Sequence, residues 1–461
     1  MNEAEWSKQE FGDAALGDCR RTDRLVAMGA RMAAQPAGNV TAVFAISAER
    51  EGAFRFLEND DVAAAKITEA AARAAAQRAD EDRIVFAAVD GSSLNLPDAS
   101  GRRGLGRVGT RKADAQGLLV MTAIAIGSTG TPLGIIGQHY WTRDRRAPKK
   151  KAASRLRRNV KEKETQHWLT VMAQAKTAFA DVAPNTRLWF QLDRGGDAWP
   201  ILSAAHDDSH WLTVRAAWDR RLVTTDEKQR YLWETMEKAD VTGSYGLDVP
   251  ALTNKRAARA AVMVVRAAEV TLDLVARPAS ARLPTRVWAV WTREEGTCPE
   301  GEEPIEWMLL TDYPVSNLAD AQLVIRGYAE RWRIEQFHRI WKSGACNVED
   351  TQLGDRDHII TWATLHASVA MRIMRLTYLS RTRPEEPASV ELSRNEVDAA
   401  ILVSETKKFK RGDVLTIGQV ILLIAECGGY TGKSSGGPPG ALVLARGLRR
   451  VETVAKVLDK L

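Results

Sequence analysis

The sequence predicts an α/β protein with helical regions at both ends, and three observations carry that reading. Short apolar runs such as Ile84–Val89 and Leu188–Leu192 read as buried strands. A block from about Val241 to Pro314 is patterned for strands and punctuated by Pro and Gly. Residues 1 to about 75 and the chain after Pro314 follow helical spacing.

With 461 residues the chain has length for about three domains, and its 45% hydrophobic content supplies cores without covalent staples. The net charge of +6 and a pI near 9.1 suit a polyanionic partner, nucleic acid ahead of membrane. Cys19, Cys298, Cys346 and Cys427 form no C-x-x-C pair, which argues against a zinc ribbon or a disulfide framework and fits a reducing cytoplasm. The first residues are acidic, without the apolar core of a signal peptide, and no run approaches the roughly 20 apolar residues of a membrane span.

The first part of the chain reads as short helices broken by Gly12, Gly17, Pro36 and Gly38. The first strong one carries Arg20, Arg21, Arg24 and Arg31, and a later one sets Arg55 among aromatics. These arginines are candidate DNA contacts, although a solvated basic face is an equal reading of the residues alone. An Ala-rich run, Ala63 to Ala79, leads out of this module. Ile84–Asp90 is then a buried strand with Asp90 at its tip, followed by antiparallel candidates at Leu118–Ile126 and Pro132–Gln138. Arg143 to Lys163 is densely basic, with Arg145, Arg146, Lys149, Lys150, Lys151, Arg157 and Arg158, suiting either a solvated linker or a phosphate-tracking surface.

A helix from about Val160 to Phe179 precedes a strand that ends on Asp193 and meets Gly195 and Gly196, repeating the Asp90 pattern. A short helix near Trp199 and a strand Trp211–Ala216 bearing Arg215 come next. The β-patterned block offers strands at Ala261–Val265, Val270–Val275, Val287–Trp291 and Trp307–Leu310, read together as an inserted sheet. Helical patterns resume through Tyr328–Lys342 and Ile359–Leu379. They break at Arg381–Pro387 and continue to the end, with Gly436–Gly440 as a loop between helices.

Tyr328–Lys342 reads as one two-faced helix. At about 100° per residue, Tyr328, Arg331, Glu335 and Lys342 share an arc of roughly 60°, with Ile334, Phe337, Ile340 and Trp341 opposite. Glu330 falls about 140° from Glu335, away from the cations. Two aspartates at strand ends and one glutamate on a later helix can hold two divalent cations through carboxylate oxygens. Magnesium is expected, with manganese as a substitute, because both prefer hard oxygen ligands. Arg331 and Lys342 would bind phosphates, and Tyr328 would donate its hydroxyl to another phosphate oxygen. An i, i+4 pair between Arg331 and Glu335 explains two of these residues but not four.

Tyrosine, two residues, arginine, three residues, glutamate, six residues, lysine resembles the Y-R-E-K signature of the insertion-sequence-four family of DDE transposases. The likeness runs from the Gly17–Arg24 region to Gly428–Gly429. The resemblance implies a ribonuclease H-like catalytic core interrupted by a β-rich insertion. Its triad would be Asp90 in Val-Asp-Gly-Ser-Ser-Leu, Asp193 in Leu-Asp-Arg-Gly-Gly-Asp, and Glu335, all three serving as metal ligands. It also implies that Trp307 stacks on a flipped base and that Arg215 contacts DNA nearby. Relatives tend to read Asp-Arg-Glu-Ala-Asp at the second aspartate; this chain reads Asp193-Arg194-Gly195-Gly196-Asp197. Two glycines there are expected to loosen the turn or admit DNA, and Asp197 is expected to cap the next helix.

By the same resemblance the chain is a cut-and-paste transposase acting as a homodimer on the inverted repeats of transposon ends. A metal-activated water nicks the end, the freed 3′-hydroxyl forms a hairpin, the hairpin is hydrolysed, and the 3′-hydroxyl joins target DNA. The expected division is a helical DNA-binding domain at 1–75, the core at 76–240 and 316–375, the β insertion at 241–315, and a helical dimerisation region at 376–461. A DNA-binding inhibitor that cannot cut, and a structure-selective nuclease without strand transfer, are the alternatives. Two decoys are set aside. Gly429–Ser434 lacks P-loop spacing, and His206 and His210 lack the glutamate of a zinc hydrolase.

Overall fold

A computed structural model describes residues 2–459 except 80–81, 99–100, 110–114, 144–163, 205–208, 225–229, 252–255, 278, 297, 300 and 433–436. The basic run from Arg145 to Arg158 lies outside the described residues, as do His206 and the Lys433–Ser434 end of the P-loop decoy.

Five N-terminal helices come first: Glu3–Phe11, Cys19–Ala34, Val40–Val43, Ser47–Leu57 and Ala64–Gln77. Local chemistry sets their starts. Asn2 and Glu5 form a reciprocal capping box, Asp18 accepts from the Arg20 N–H, and Asn39 accepts from the Ala42 N–H. The Ala-rich helix does more than lead out of the module, since it lies directly on a strand. A Cβ added at Gly134 would stand 2.6 Å from that of Ala75, so only small residues allow this approach.

The central sheet contains β1 (Ile84–Asn95), β2 (Gly106–Arg107), β3 (Gln116–Ile126), β4 (Pro132–Trp141), β5 (Arg187–Leu192), β6 (His210–Arg215), β7 (Val241–Val249), β8 (Arg259–Ala276), β9 (Ala281–Glu295) and β10 (Glu306–Thr311). Its order is β2-β3-β1-β5-β6-β10-β9-β8-β7, with β4 also paired to β3. β1, β5 and β6 are parallel; β3 is antiparallel to β1 and β4 antiparallel to β3. Alternate residues of β1 serve opposite faces, as the two-residue period of a strand requires. Val85, Ala87 and Val89 pack with helices Ala64–Gln77 and Thr165–Val182, whereas Phe86 and Ala88 belong to the core that contains Ile334, Phe337 and Trp341. This mixed α/β architecture, with helical ends and a strand-rich middle, is a ribonuclease H-like core with an insertion.

Three expectations about strands are corrected. Asp90 is not at a strand tip, because β1 continues to Asn95 along β3, pairing Asp90 with Thr122 and Ser92 with Val120. The strand-rich block is not a separate sheet; β10 pairs with β6 and extends the central one. The segments Ala261–Val265 and Val270–Val275 are one strand, because β9 hydrogen-bonds to β8 without interruption from Val262 to Ala276. Small and polar side chains at 266–269 hide that continuity from a hydropathy reading.

Beyond β10 come helices Leu318–Glu330 and Arg333–Lys342, then Arg356–Thr382, which runs unbroken through residue 376. Helices Arg394–Ser404, Ile417–Cys427 and Ala441–Leu458 complete the chain. Val420–Glu426 is therefore helical, and Gly437–Gly440 lies between the last two helices.

Candidate active site and nucleic-acid contacts

Sheet register brings the two aspartates together. On the shared edges of β1 and β5, Val89 pairs with Leu192, so Asp90 and Asp193 are the next residues on adjacent parallel strands. On β6, Val214 pairs with Leu192 as well, which sets Arg215 beside Asp193. Thus Asp90, Asp193 and Arg215 form one row at the end of the parallel pairing, where ligands of open α/β sheets gather. Arg215 also pairs with Leu309 of β10, and Trp307, two residues before Leu309, shares that residue's face.

The helix opposite this row is interrupted, which corrects the single-helix reading of Tyr328–Lys342. Leu318–Glu330 ends and Arg333–Lys342 begins across a turn in which the N–H groups of Arg331, Trp332, Ile334 and Glu335 bond three residues back. Such a turn advances about 120° per residue. The tighter winding still keeps Arg331 and Glu335 in contact. Arg331 Nη2 donates to Glu335 Oε1 at 2.9 Å, and its Nη1 lies 3.6 Å from Asp90 Oδ2. Arg331 is only 9% exposed, so this stripe is not a solvated face. Glu330 turns away from the site and pairs with Arg333 at 3.0 Å.

Burial first, then the charge of Asp193, pushes the Asp90 carboxyl up to about 7; Glu335 adds to this, while Arg331 and the Gly91 N–H oppose it. Asp193 and Glu335 both disfavour a second negative charge at Asp90, and Arg331 favours it. An all-carboxylate donor set fits a divalent cation of the magnesium class. The three side chains do not converge as tightly as Glu3, Glu396 and Glu452, whose oxygens all lie within 4.8 Å of one another at the junction of the N-terminal and C-terminal helices. That second cluster contains Arg372, 3.6 Å from both Glu3 and Glu396, and so already has a protein cation.

Lys342 reaches β1: its Nζ lies 3.5 Å from Ser92 Oγ and 3.7 Å from Glu349. Glu349 in turn accepts from the Asn95 N–H at 2.7 Å. Ser92 and Glu349 were not anticipated, though a strand continued past Asp90 would have put Ser92 on the same face as Asp90. Buried His338, one turn beyond Glu335, is likewise new. Burial, with Lys342 and Arg331 adding, pushes its imidazole down to about 3, so it is neutral.

Tyr328 gathers the remaining residues. Trp307 meets its ring edge to face at 5.1 Å, and the Arg331 guanidinium lies 5.8 Å from its centroid. Burial raises the Tyr328 hydroxyl above its ordinary value, while Arg331 and Arg215 pull it back. Arg215 is fixed by donating from Nη2 to the Glu306 carbonyl at 3.1 Å. Trp307 is half-buried and packs against the core, so one part of its indole is structural.

The turn at Asp193 is closed by its own carboxylate. Asp193 Oδ1 accepts from the Gly195 N–H at 2.7 Å and caps a short 3₁₀ turn, Arg194–Gly196. A Cβ at Gly196 would stand 2.7 Å from both Cβ and Cδ2 of Leu192, so this glycine serves close packing. Asp197 does not cap the following helix, Trp199–Leu202, whose start at Ala198 has no side-chain cap. Instead its buried carboxylate accepts from the N–H groups of Ala217 and Trp218 at 2.7 and 3.1 Å and from Arg220 Nε at 2.7 Å. These partners lie some twenty residues away and are invisible to local capping rules.

The N-terminal arginines divide. Arg20 and Arg55 are exposed, each paired locally, with Asp18 and Glu51. Arg21 braces the module through the Leu16 carbonyl, at 2.9 Å, and Asp61. Arg24 lies over Gly52, where a Cβ would approach its Nη1 to 2.6 Å.

No helix of the described residues is long and apolar enough to cross a membrane. Two family models match the ends of the chain. Residues 3–62, the first four helices, match the transposase DNA-binding family. Residues 368–457, which include the three C-terminal helices, match the transposase Tn5 dimerisation domain. With a match to a transposase DNA-binding model at one end, a match to the Tn5 transposase dimerisation model at the other and a ribonuclease H-like core between them, the chain is similar at both ends to the Tn5-like transposases of the insertion-sequence-four family.

Proposed function

We propose that this chain is a cut-and-paste transposase that cleaves DNA at transposon-end inverted repeats, with Asp90, Asp193 and Glu335 as its catalytic carboxylates. The observation that carries this reading is the adjacency of Asp90 and Asp193 across β1 and β5, with Glu335 joined to Asp90 through Arg331. Two bound magnesium ions would activate the attacking oxygen and stabilise the leaving one. The chain's own groups do the positioning. Arg331 and Lys342 hold phosphate oxygens by charge-assisted hydrogen bonds, and the Tyr328 hydroxyl donates to another. Trp307 receives an extruded base on its open side while its packed side keeps the ring in place, which supports a hairpin intermediate. Arg215 neutralises the strand that carries this base. Arg20, Arg24 and Arg55 contact the end sequence outside the core, and two copies assemble through the C-terminal helices.

Duplexes carrying the inverted repeats that flank the gene test this directly. Magnesium-dependent nicking, then hairpin formation, then joining of 3′-hydroxyl ends to a target plasmid is expected. Glu335→Ala should abolish all three steps while leaving duplex binding intact; normal cleavage by that variant overturns the assignment.

A further inference from the structure

Trp218 is 66% exposed, yet the loop that carries it is held by several hydrogen bonds. Its own N–H and that of Ala217 donate to Asp197 Oδ2, and Arg220 clamps the same carboxylate, whose side chain is fully buried. Arg220 Nη2 also donates to the Asp197 carbonyl at 2.8 Å. On either side, the Ala216 N–H donates to the Met308 carbonyl at 2.8 Å, and Asp219 Oδ1 accepts from the Trp233 N–H at 3.0 Å. Asp197 itself closes the short turn that Asp193 opens. One buried carboxylate therefore connects the turn of the second aspartate to the backbone of an indole that faces water.

A tryptophan this exposed forgoes much of the favourable burial its ring would gain in the core. Its backbone is already ordered, so engaging a partner costs little further conformational entropy. The surroundings favour DNA. Trp218 lies three residues beyond Arg215, past the ends of the parallel strands that lead to Asp90 and Asp193; Arg220 in the same run is committed to Asp197 and Arg221 faces Asp273 at 3.8 Å, so Arg215, beside Asp193, is the cation this run brings to the site. Exposed Arg194 adjoins Asp193 on the connected turn. Aromatic rings set among arginines are how proteins hold unpaired or splayed nucleotides.

We propose that Trp218 is a DNA-positioning residue that stacks on a nucleobase of the strand crossing the catalytic edge, separate from the base received at Trp307. This rests on the transposase reading given above. It makes Asp197 a coupling element, which aligns the stacked nucleotide with the turn that carries Asp193.

The full chain is assayed with end duplexes in magnesium, comparing wild type, Trp218→Ala and Trp218→Phe, with circular dichroism and thermal melting to verify folding. Trp218→Ala should raise KM for the duplex about tenfold with kcat little changed, and Trp218→Phe should recover most of the difference. An abasic scan supplies a readout that a structural role would not move. At one strand position, base removal should weaken wild type but leave Trp218→Ala unaffected, since the stacking partner is already gone. Equal KM for wild type and Trp218→Ala overturns the proposal, as does an alanine defect that is the same at every abasic position. A defect that tracks loss of the dimer in sedimentation assigns Trp218 to a protein contact and also overturns it. If wild type neither binds nor cleaves the duplexes, the transposase reading fails and this inference falls with it; if wild type cleaves and only the Trp218 comparisons fail, that reading stands.

Discussion

Arg331 Nη1 lies 3.6 Å from Asp90 Oδ2, from a guanidinium that is nearly buried and also bound to Glu335. One cation thus spans two elements, a central strand and the helix opposite it. This contact favours the charged form of Asp90, while burial first and the charge of Asp193 next raise the carboxyl to about 7.

Arg331→Ala removes that counter-charge. Manganese affinity in the absence of DNA should rise, because the cation no longer competes with a guanidinium, while cleavage falls at least a hundredfold through lost phosphate contacts. Titration calorimetry with manganese checks the first part; weaker binding in the variant would contradict the assigned role of Arg331.

Gly196→Ala places a methyl 2.7 Å from Leu192. A stability loss of about 1–3 kcal/mol is expected from overpacking. Urea unfolding checks this, and a Gly196→Ala chain as stable as wild type would contradict the packing role.

Asp197→Asn keeps the shape but removes the charge that Arg220 faces. Breaking a buried pair by neutralising one partner costs on the order of 3 kcal/mol. Faster backbone hydrogen exchange at Ala217 and Trp218 is the local signature, because both N–H groups donate to this carboxylate.

Stability should depend on pH through Glu3, Glu396 and Glu452. Burial is the main reason that Glu396 and Glu452 are each raised from 4.5 to about 8, with the charge of Glu3 adding to both. Arg372 faces this cluster from helix Arg356–Thr382 and Lys456 pairs with Glu452, while Arg24, Arg31 and Glu49 border the adjoining cavity. Because the folded chain holds these protons more tightly than the unfolded one, their contribution is fully present below about 4.5 and is lost as pH rises through about 8. Glu3 is lowered, so its own contribution is lost only on acidification below the ordinary carboxylate range. The expected result is a loss of stability between pH 6 and 9, seen as a falling melting temperature and flattened in Glu452→Gln. A melting temperature that rises across this window would refute the assignment.

Local sequence determined a good deal of this protein. Short continuous apolar runs marked β1 and β5, helical periodicity marked the apolar side of Arg333–Lys342, and the spacing from Tyr328 to Lys342 made a family legible before any contact was known. Such signals survive in one dimension because they arise from neighbours one to four residues apart. Tertiary structure alone decided the rest. Register between distant strands put Asp90, Asp193 and Arg215 in one row and kept Trp307 against Tyr328. A tight turn divided the helix at Arg331, Gly196 proved to be a packing requirement, and Asp197 found partners on another loop. Pairing energies between remote segments govern these outcomes, and a period read along the chain carries no information about which strands will lie side by side.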